Sequence, residues 1–254
     1  MLNTITHGSE TDAPPLVIAH GLYGSARNWG VIAKRLSDTR LVVAVDMRNH
    51  GHSAWTDSHT YEEMADDLAE VIGELGGTAD IIGHSMGGKA AMILALQEPG
   101  LVNRLVVADI APVAYDHDQL PLIKAMQALD LDVISTRKEA DEALSAAISD
   151  PGVRAFLIQS LDLRSEPRRW KLNLGALADQ MPLILGFPQV SRTFDAPSLF
   201  LSGGTSKYVT PDSHATINTL FPKAKYEVIP GVGHWLHAEA PAPFLAAVTR
   251  FLDD

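Results

Sequence analysis

The sequence contains no cysteine, which excludes disulfides, a cysteine nucleophile and thiolate metal sites. It also lacks any stretch near the roughly 18 unbroken apolar residues that a membrane-spanning helix needs. The opening residues, Met1-Leu2-Asn3-Thr4-Ile5-Thr6-His7, show no basic segment followed by an apolar one. No secretory signal is therefore expected, and a cytoplasmic location is. Positive charge is in deficit: 20 Lys and Arg stand against 31 Asp and Glu, a net charge of -11. Such a field repels phosphate backbones and anionic lipid heads, so neither nucleic acid nor a membrane surface is an expected partner.

What is present is apolar material, 46% of 254 residues. That is enough for the buried sheet of one α/β domain carrying an insertion. Short apolar runs recur at Leu16–Ala19, Leu41–Val45, Asp80–Gly83, Leu105–Ala108, Ser198–Ser202 and Tyr226–Ile229. Their continuous character predicts strands buried on both faces, the mark of a parallel sheet covered by helices. Helical patterns alternate with them. Thr60 to Leu75 is the clearest, with Thr60 and Glu63 as a capping box and Gly76-Gly77 as a stop. Met86 to Gln97 and Pro243 to Leu252 are two more. The alternation predicts a doubly wound α/β sheet, mostly parallel and flanked by helices.

Residues 113–195 break the rhythm. They hold helical stretches, including Leu120–Leu129 and Lys138–Ile148, but no convincing buried strand. The expected organisation is a core of residues 1–112 and 196–254, with residues 113–195 as a helical cap inserted between two core strands.

Gly83-His84-Ser85-Met86-Gly87 matches G-x-S-x-G, and a predicted strand precedes it while a predicted helix follows. A turn that sharp forces the central residue into a strained conformation and lifts its side chain off the sheet, which makes Ser85 the expected nucleophile. Acyl hydrolysis also needs donors aimed at the oxyanion. One is expected from the N–H of Met86. The other is expected from the loop His20-Gly21-Leu22-Tyr23-Gly24, with Leu22 the first choice and Tyr23 the second. Among ten histidines, His234 follows the last predicted strand and precedes the last helix, so it opens onto the same sheet edge.

The acid is less direct. After the strand at 198–202 the chain reads Gly203-Gly204-Thr205-Ser206-Lys207-Tyr208, with serine where a carboxylate is usual. Asp109, at the end of the preceding strand, is the expected alternative and keeps the order Ser, Asp, His. Asp195 and Asp212 are the rivals; the first precedes its strand and the second falls on the following helix. Asp116-His117-Asp118 has a metal-like look but no further ligands nearby, and no metal is expected.

Together these segments resemble the YbfF-type esterases of bacteria. The resemblance rests on Asp46-Met47-Arg48-Asn49-His50-Gly51-His52-Ser53, Gly83-His84-Ser85-Met86-Gly87-Gly88-Lys89, Asp109-Ile110-Ala111-Pro112-Val113, Gly203–Val209 and Gly233-His234-Trp235-Leu236-His237-Ala238-Glu239. It runs nearly end to end and is weakest in the cap. Lys207 departs from it, standing where proline is common. The resemblance implies the α/β-hydrolase fold and hydrolysis of a small-molecule acyl ester or acyl thioester, with no metal or organic cofactor. It implies Ser85, Asp109 and His234 as the catalytic core and Ser206 as an added hydrogen-bonding member.

Tyr23, Trp235, Tyr208, Trp170 and Phe187, with Phe156, are expected to line an apolar acyl pocket. A carbon–carbon hydrolase or lyase on the same fold, and a non-catalytic ligand receptor, are the competing readings. The serine at the elbow speaks against a dehalogenase, which attacks with a carboxylate.

Overall fold

A computed structural model describes residues 1–117 and 119–254. Its seven-stranded sheet comprises β1 (Asn3–His7), β2 (Leu16–Ala19), β3 (Val42–Asp46), β4 (Ala79–His84), β5 (Val102–Ala108), β8 (Ser198–Gly203) and β9 (Ala224–Ile229). A separate hairpin of β6 (Leu161–Asp162) and β7 (Arg169–Trp170) lies between β5 and β8 in the chain. The sheet order is β1-β3-β2-β4-β5-β8-β9. Among the described strands of this sheet only β1 runs antiparallel to its neighbour.

The central strands carry continuous apolar runs because both faces are covered. Successive residues alternate between two cores. Val17, Ile81, Leu105 and Val107 face one cluster with α2 (Tyr61–Glu74) and α3 (Met86–Gln97). Leu16, Ile18, Ile82 and Val106 face the other with α1 (Gly30–Leu36) and α11 (Pro241–Asp253). The capping box at Thr60 and Glu63 forms as expected and opens α2 at Tyr61.

Two expectations change. β9 is not buried on both faces: it is an edge strand, and Tyr226 and Val228 reach solvent. β1 has no counterpart among the apolar runs, because Ile5 is the one apolar residue of its Asn-Thr-Ile-Thr-His sequence.

Between β5 and β8 stand α4 (Leu120–Gln127), α5 (Arg137–Leu144), α6 (Pro151–Ile158), the β6–β7 hairpin, α7 (Leu174–Asp179) and α8 (Met181–Leu185). The hairpin qualifies the expectation of no strand there; two residues per strand leave no periodicity to read. After β8 come α9 (Pro211–Leu220), β9, α10 (Leu236–Glu239) and α11. Among the described residues no helix is long and apolar enough to cross a membrane. Asp118, the last member of the metal-like triplet, lies outside the described residues.

Parallel pairing puts the strands' carboxyl ends on one edge. His84 pairs with Ala108, Ala108 with Leu201, and Gly203 with Ile229. The residues immediately after these strands therefore gather in one place.

Candidate active site

Ser85 joins β4 to α3 with φ 52° and ψ -119°, in a region L-residues enter only under constraint. The glycines around it are there for space. A Cβ on Gly83 meets Gly87 O at 2.4 Å, and one on Gly87 meets the Ala19 and His20 carbonyls at 2.5 Å. Met86 opens α3, so its N–H belongs to the first turn and has no partner within the helix.

His20 to Gly24 wraps over this turn. Tyr23 takes φ 65°, and its N–H donates to His50 Nε2 at 3.1 Å. That amide is therefore committed to the histidine. Burial holds His50 well below the ordinary imidazole range, with His20 and His59 adding to the effect. His50 is thus a neutral acceptor.

Asp109 follows β5, takes φ 53° and is wholly buried. Its Oδ2 lies 2.7 Å from His234 Nδ1 and accepts from Ser206 Oγ at 2.5 Å. Its Oδ1 accepts from Gly203 N at 3.0 Å. A carboxylate in that position makes Nδ1 the protonated nitrogen and leaves the Nε2 lone pair available. His84 Nε2 donates to the His234 carbonyl at 2.9 Å, and the Tyr208 ring stacks on the His234 imidazole at 4.0 Å. Asp195 lies ahead of β8 and Asp212 sits in the first turn of α9; the carboxylate bonded to His234 is that of Asp109.

A cavity of about 300 Å³ opens over these groups, with Ser85, Met86, His234, Leu22 and Tyr23 on its walls. Tyr208, Trp235 and Phe156 line it too. Trp170 and Phe187 do not, and the expectation for both is corrected. Trp170 pairs across the hairpin with Leu161, is buried among the helices, and donates from Nε1 to Met126 O at 2.9 Å. Phe187 follows the end of α8 and lines a separate groove with Val113 and Leu220. Among the described residues no group of three or more His, Asp or Glu side chains is arranged to hold a metal ion.

One residue of the cavity wall escaped the reading of the sequence as chemistry. Lys89 sits one turn after Ser85, is 1% exposed, and donates from Nζ to Leu185 O at 3.0 Å and Gly186 O at 2.5 Å. Its ammonium stands 4.7 Å from the Tyr115 ring centre. Together with Tyr61, whose hydroxyl donates to Ile184 O at 2.6 Å, it satisfies the last carbonyls of α8. The signal in the sequence was a lone lysine in an otherwise apolar helix.

Burial without a carboxylate partner lowers Lys89 from the usual 10.5 to about 7. The unfolded chain therefore holds a proton that the fold releases between about pH 7 and 10.5. This lysine's contribution to stability accordingly rises across that window and is least favourable below it. Lys89→Met is expected to compare best with wild type near pH 6.5, and to lose ground steadily toward pH 10. Urea midpoints at several pH values check this. A stability difference between the two proteins that does not change with pH contradicts it.

A family model described as alpha/beta hydrolase fold matches residues 14–241. The chain is 41% identical to the sn-1-specific diacylglycerol lipase ABHD11 of Mus musculus over 248 residues, covering 94% of this chain and 81% of that protein. It is 38% identical to esterase YbfF of Escherichia coli (strain K12) over 244 residues, covering 94% and 93% respectively. A solved marine microorganism esterase superposes with a TM-score of 0.93 at 39% identity, covering 98% of both chains.

Proposed function

The chain belongs to the alpha/beta hydrolase fold family, and on that premise we propose that it hydrolyses small carboxylic esters or acyl thioesters through an acyl-enzyme on Ser85. The observation that carries this reading is the Asp109–His234 pair, with 2.7 Å between Oδ2 and Nδ1, at the wall of the cavity that also holds Ser85. The relatives' names, esterase and lipase, point to the same bond type.

In this reading His234 Nε2 takes the Ser85 hydroxyl proton as Oγ adds to the acyl carbonyl carbon. The carbonyl oxygen becomes an oxyanion, which accepts hydrogen bonds from the N–H groups of Leu22 and Met86. Collapse breaks the bond to the leaving oxygen or sulfur, and His234 returns the proton to it. Water repeats the sequence on the acyl-enzyme and frees the acid. Asp109 holds the imidazole tautomer and balances the imidazolium; Ser206 steadies Asp109. Residues 113–195 act as a cap, and Phe156 and Trp235, 5.3 Å apart, bound the acyl group.

The test is mass spectrometry of the protein after a fluorophosphonate, with parallel assays on p-nitrophenyl esters and acyl thioesters of graded length. A single adduct on Ser85 and ester turnover are expected, with Phe156→Ala moving the preferred acyl length upward. A folded protein that takes no label and cleaves neither bond type overturns the reading. An unchanged length preference in Phe156→Ala removes the cap's role.

A further inference from the structure

Three successive peptides of the oxyanion loop are pinned from outside the loop or across it. The Gly21–Leu22 peptide, whose N–H is the proposed donor, has its carbonyl held by His20 Nδ1 at 2.8 Å and by Gly24 N at 3.0 Å. The next peptide's N–H, that of Tyr23, donates to His50 Nε2 at 3.1 Å. His50 can accept there because its Nδ1–H is committed to Arg48 O at 2.8 Å, which fixes the tautomer. The third peptide's carbonyl, that of Tyr23, accepts from Ser160 Oγ at 2.9 Å.

Ser160 follows α6, in the helical segment, and is 137 residues from Tyr23 in sequence. The two anchors are themselves joined. Gly51 N donates to Lys171 O and Lys171 N donates to Ser160 O, each at 2.8 Å. His50 also forms an isolated bridge with Leu172. The hydrogen bonds thus close a ring: Tyr23 to His50, along the chain to Gly51, to Lys171, to Ser160, and back to Tyr23. His50 is wholly buried and Ser160 nearly so, so water does not compete for these bonds. The ring encloses a tyrosine at φ 65°, a conformation it holds only because its surroundings enforce it.

We propose that His50 and Ser160 are positioning residues for hydrolysis: they clamp the Tyr23 backbone from both sides and so aim the adjacent Leu22 N–H at the oxyanion. The seating of the helical segment is thereby tied to transition-state stabilisation, not only to the shape of the cavity. The inference rests on the proposed ester hydrolysis and on Leu22 as donor.

A clamp of this kind acts on the oxyanion and hardly on the bound ester. Its signature is therefore a loss in kcat with KM nearly kept. Losing a whole oxyanion donor typically costs about 10²–10³ in kcat; misaiming one is expected to cost roughly tenfold. The measurement uses p-nitrophenyl butyrate turnover, with inhibition by 1,1,1-trifluorohexan-2-one and hexan-2-one. The trifluoroketone adds Ser85 Oγ to its carbonyl carbon and places an oxyanion in the hole, whereas the plain ketone binds without it.

Ser160→Ala and His50→Ala are each expected to lose roughly tenfold in kcat and a similar factor in trifluoroketone affinity, with hexan-2-one affinity unchanged. Ser160→Thr is expected to restore both. The double variant should fall no further than the weaker single one, because both anchors hold the same residue. A folded Ser160→Ala enzyme with wild-type kcat, or one in which both ketones weaken equally, overturns the clamp and leaves ester hydrolysis standing. Absence of turnover in the wild type removes both.

Discussion

Ser85→Ala is expected to lower p-nitrophenyl butyrate turnover by about 10⁵- to 10⁶-fold, as loss of a triad nucleophile does elsewhere. The proposed reaction passes through a covalent bond to Oγ, and nothing else in the cavity can replace that oxygen in the same geometry. The residue sits at φ 52° between β4 and α3, where a lysine, water or neighbouring hydroxyl cannot reach the same point without rebuilding the turn. The oxyanion donors and the cavity remain, so a residual rate above the uncatalysed one should persist. Alanine keeps the Cβ and therefore keeps the same backbone strain. No gain or loss in stability beyond a few tenths of a kcal/mol is expected from deleting one partly exposed hydroxyl. Turnover measured beside the melting temperature separates lost chemistry from lost structure. More than about a tenth of wild-type activity in a folded Ser85→Ala protein is incompatible with Ser85 as nucleophile.

The elbow was legible in the sequence because its causes are local. A strand, a turn and a helix meet within five residues, and the glycines at 83 and 87 answer to backbone atoms their own Cβ atoms would strike. The buried strands were legible for a similar reason: residues that face helices on both sides must be apolar in succession. β1 and β9 were harder because they are the sheet's edges, and an edge strand has one face free to be polar.

The acid position needed one long-range assumption, that β5 lies beside β4, and the register of His84 with Ala108 meets it. What was not legible depends on pairs far apart in the chain. Ser160 bonds Tyr23 and Lys89 bonds Leu185 and Gly186 across about a hundred residues or more. No spacing or composition announces such partners. The same holds for Trp170 and Phe187. Their aromatic character was plain in the sequence, but only the packing of the helical segment decides which rings face the cavity, which are buried within the segment and which line a groove elsewhere.

Asp109→Asn is expected to cost about 10³- to 10⁴-fold in the rate of acylation, the scale seen when a triad carboxylate becomes an amide, and the hydrogen bonds around it say why. The two carboxylate oxygens have different duties. Oδ1 accepts from the Gly203 amide, whereas Oδ2 serves both His234 Nδ1 and Ser206 Oγ. An asparagine must keep its one oxygen toward Gly203, because a backbone N–H cannot accept. Its NH₂ group then faces His234 Nδ1, which has to become an acceptor. That places the ring proton on Nε2, where Ser85 needs a base. The variant is isosteric and wholly enclosed, so the fold should survive while the tautomer is wrong. It also removes the negative charge that balances the imidazolium.

Ser206→Ala leaves the carboxylate, its charge and its bond to His234 in place, and deletes only one donor to Oδ2 and one acceptor for Tyr208 N. A loss of roughly tenfold, the scale of one hydrogen bond to a charged group, is expected. Single-turnover acylation with p-nitrophenyl butyrate, read beside the circular dichroism of each variant, makes the comparison. Near-normal acylation in a folded Asp109→Asn protein removes Asp109 from the catalytic set. A Ser206→Ala loss as deep as that of Asp109→Asn moves Ser206 from a supporting part to a central one, because deletion of its hydroxyl alone cannot reverse the histidine tautomer.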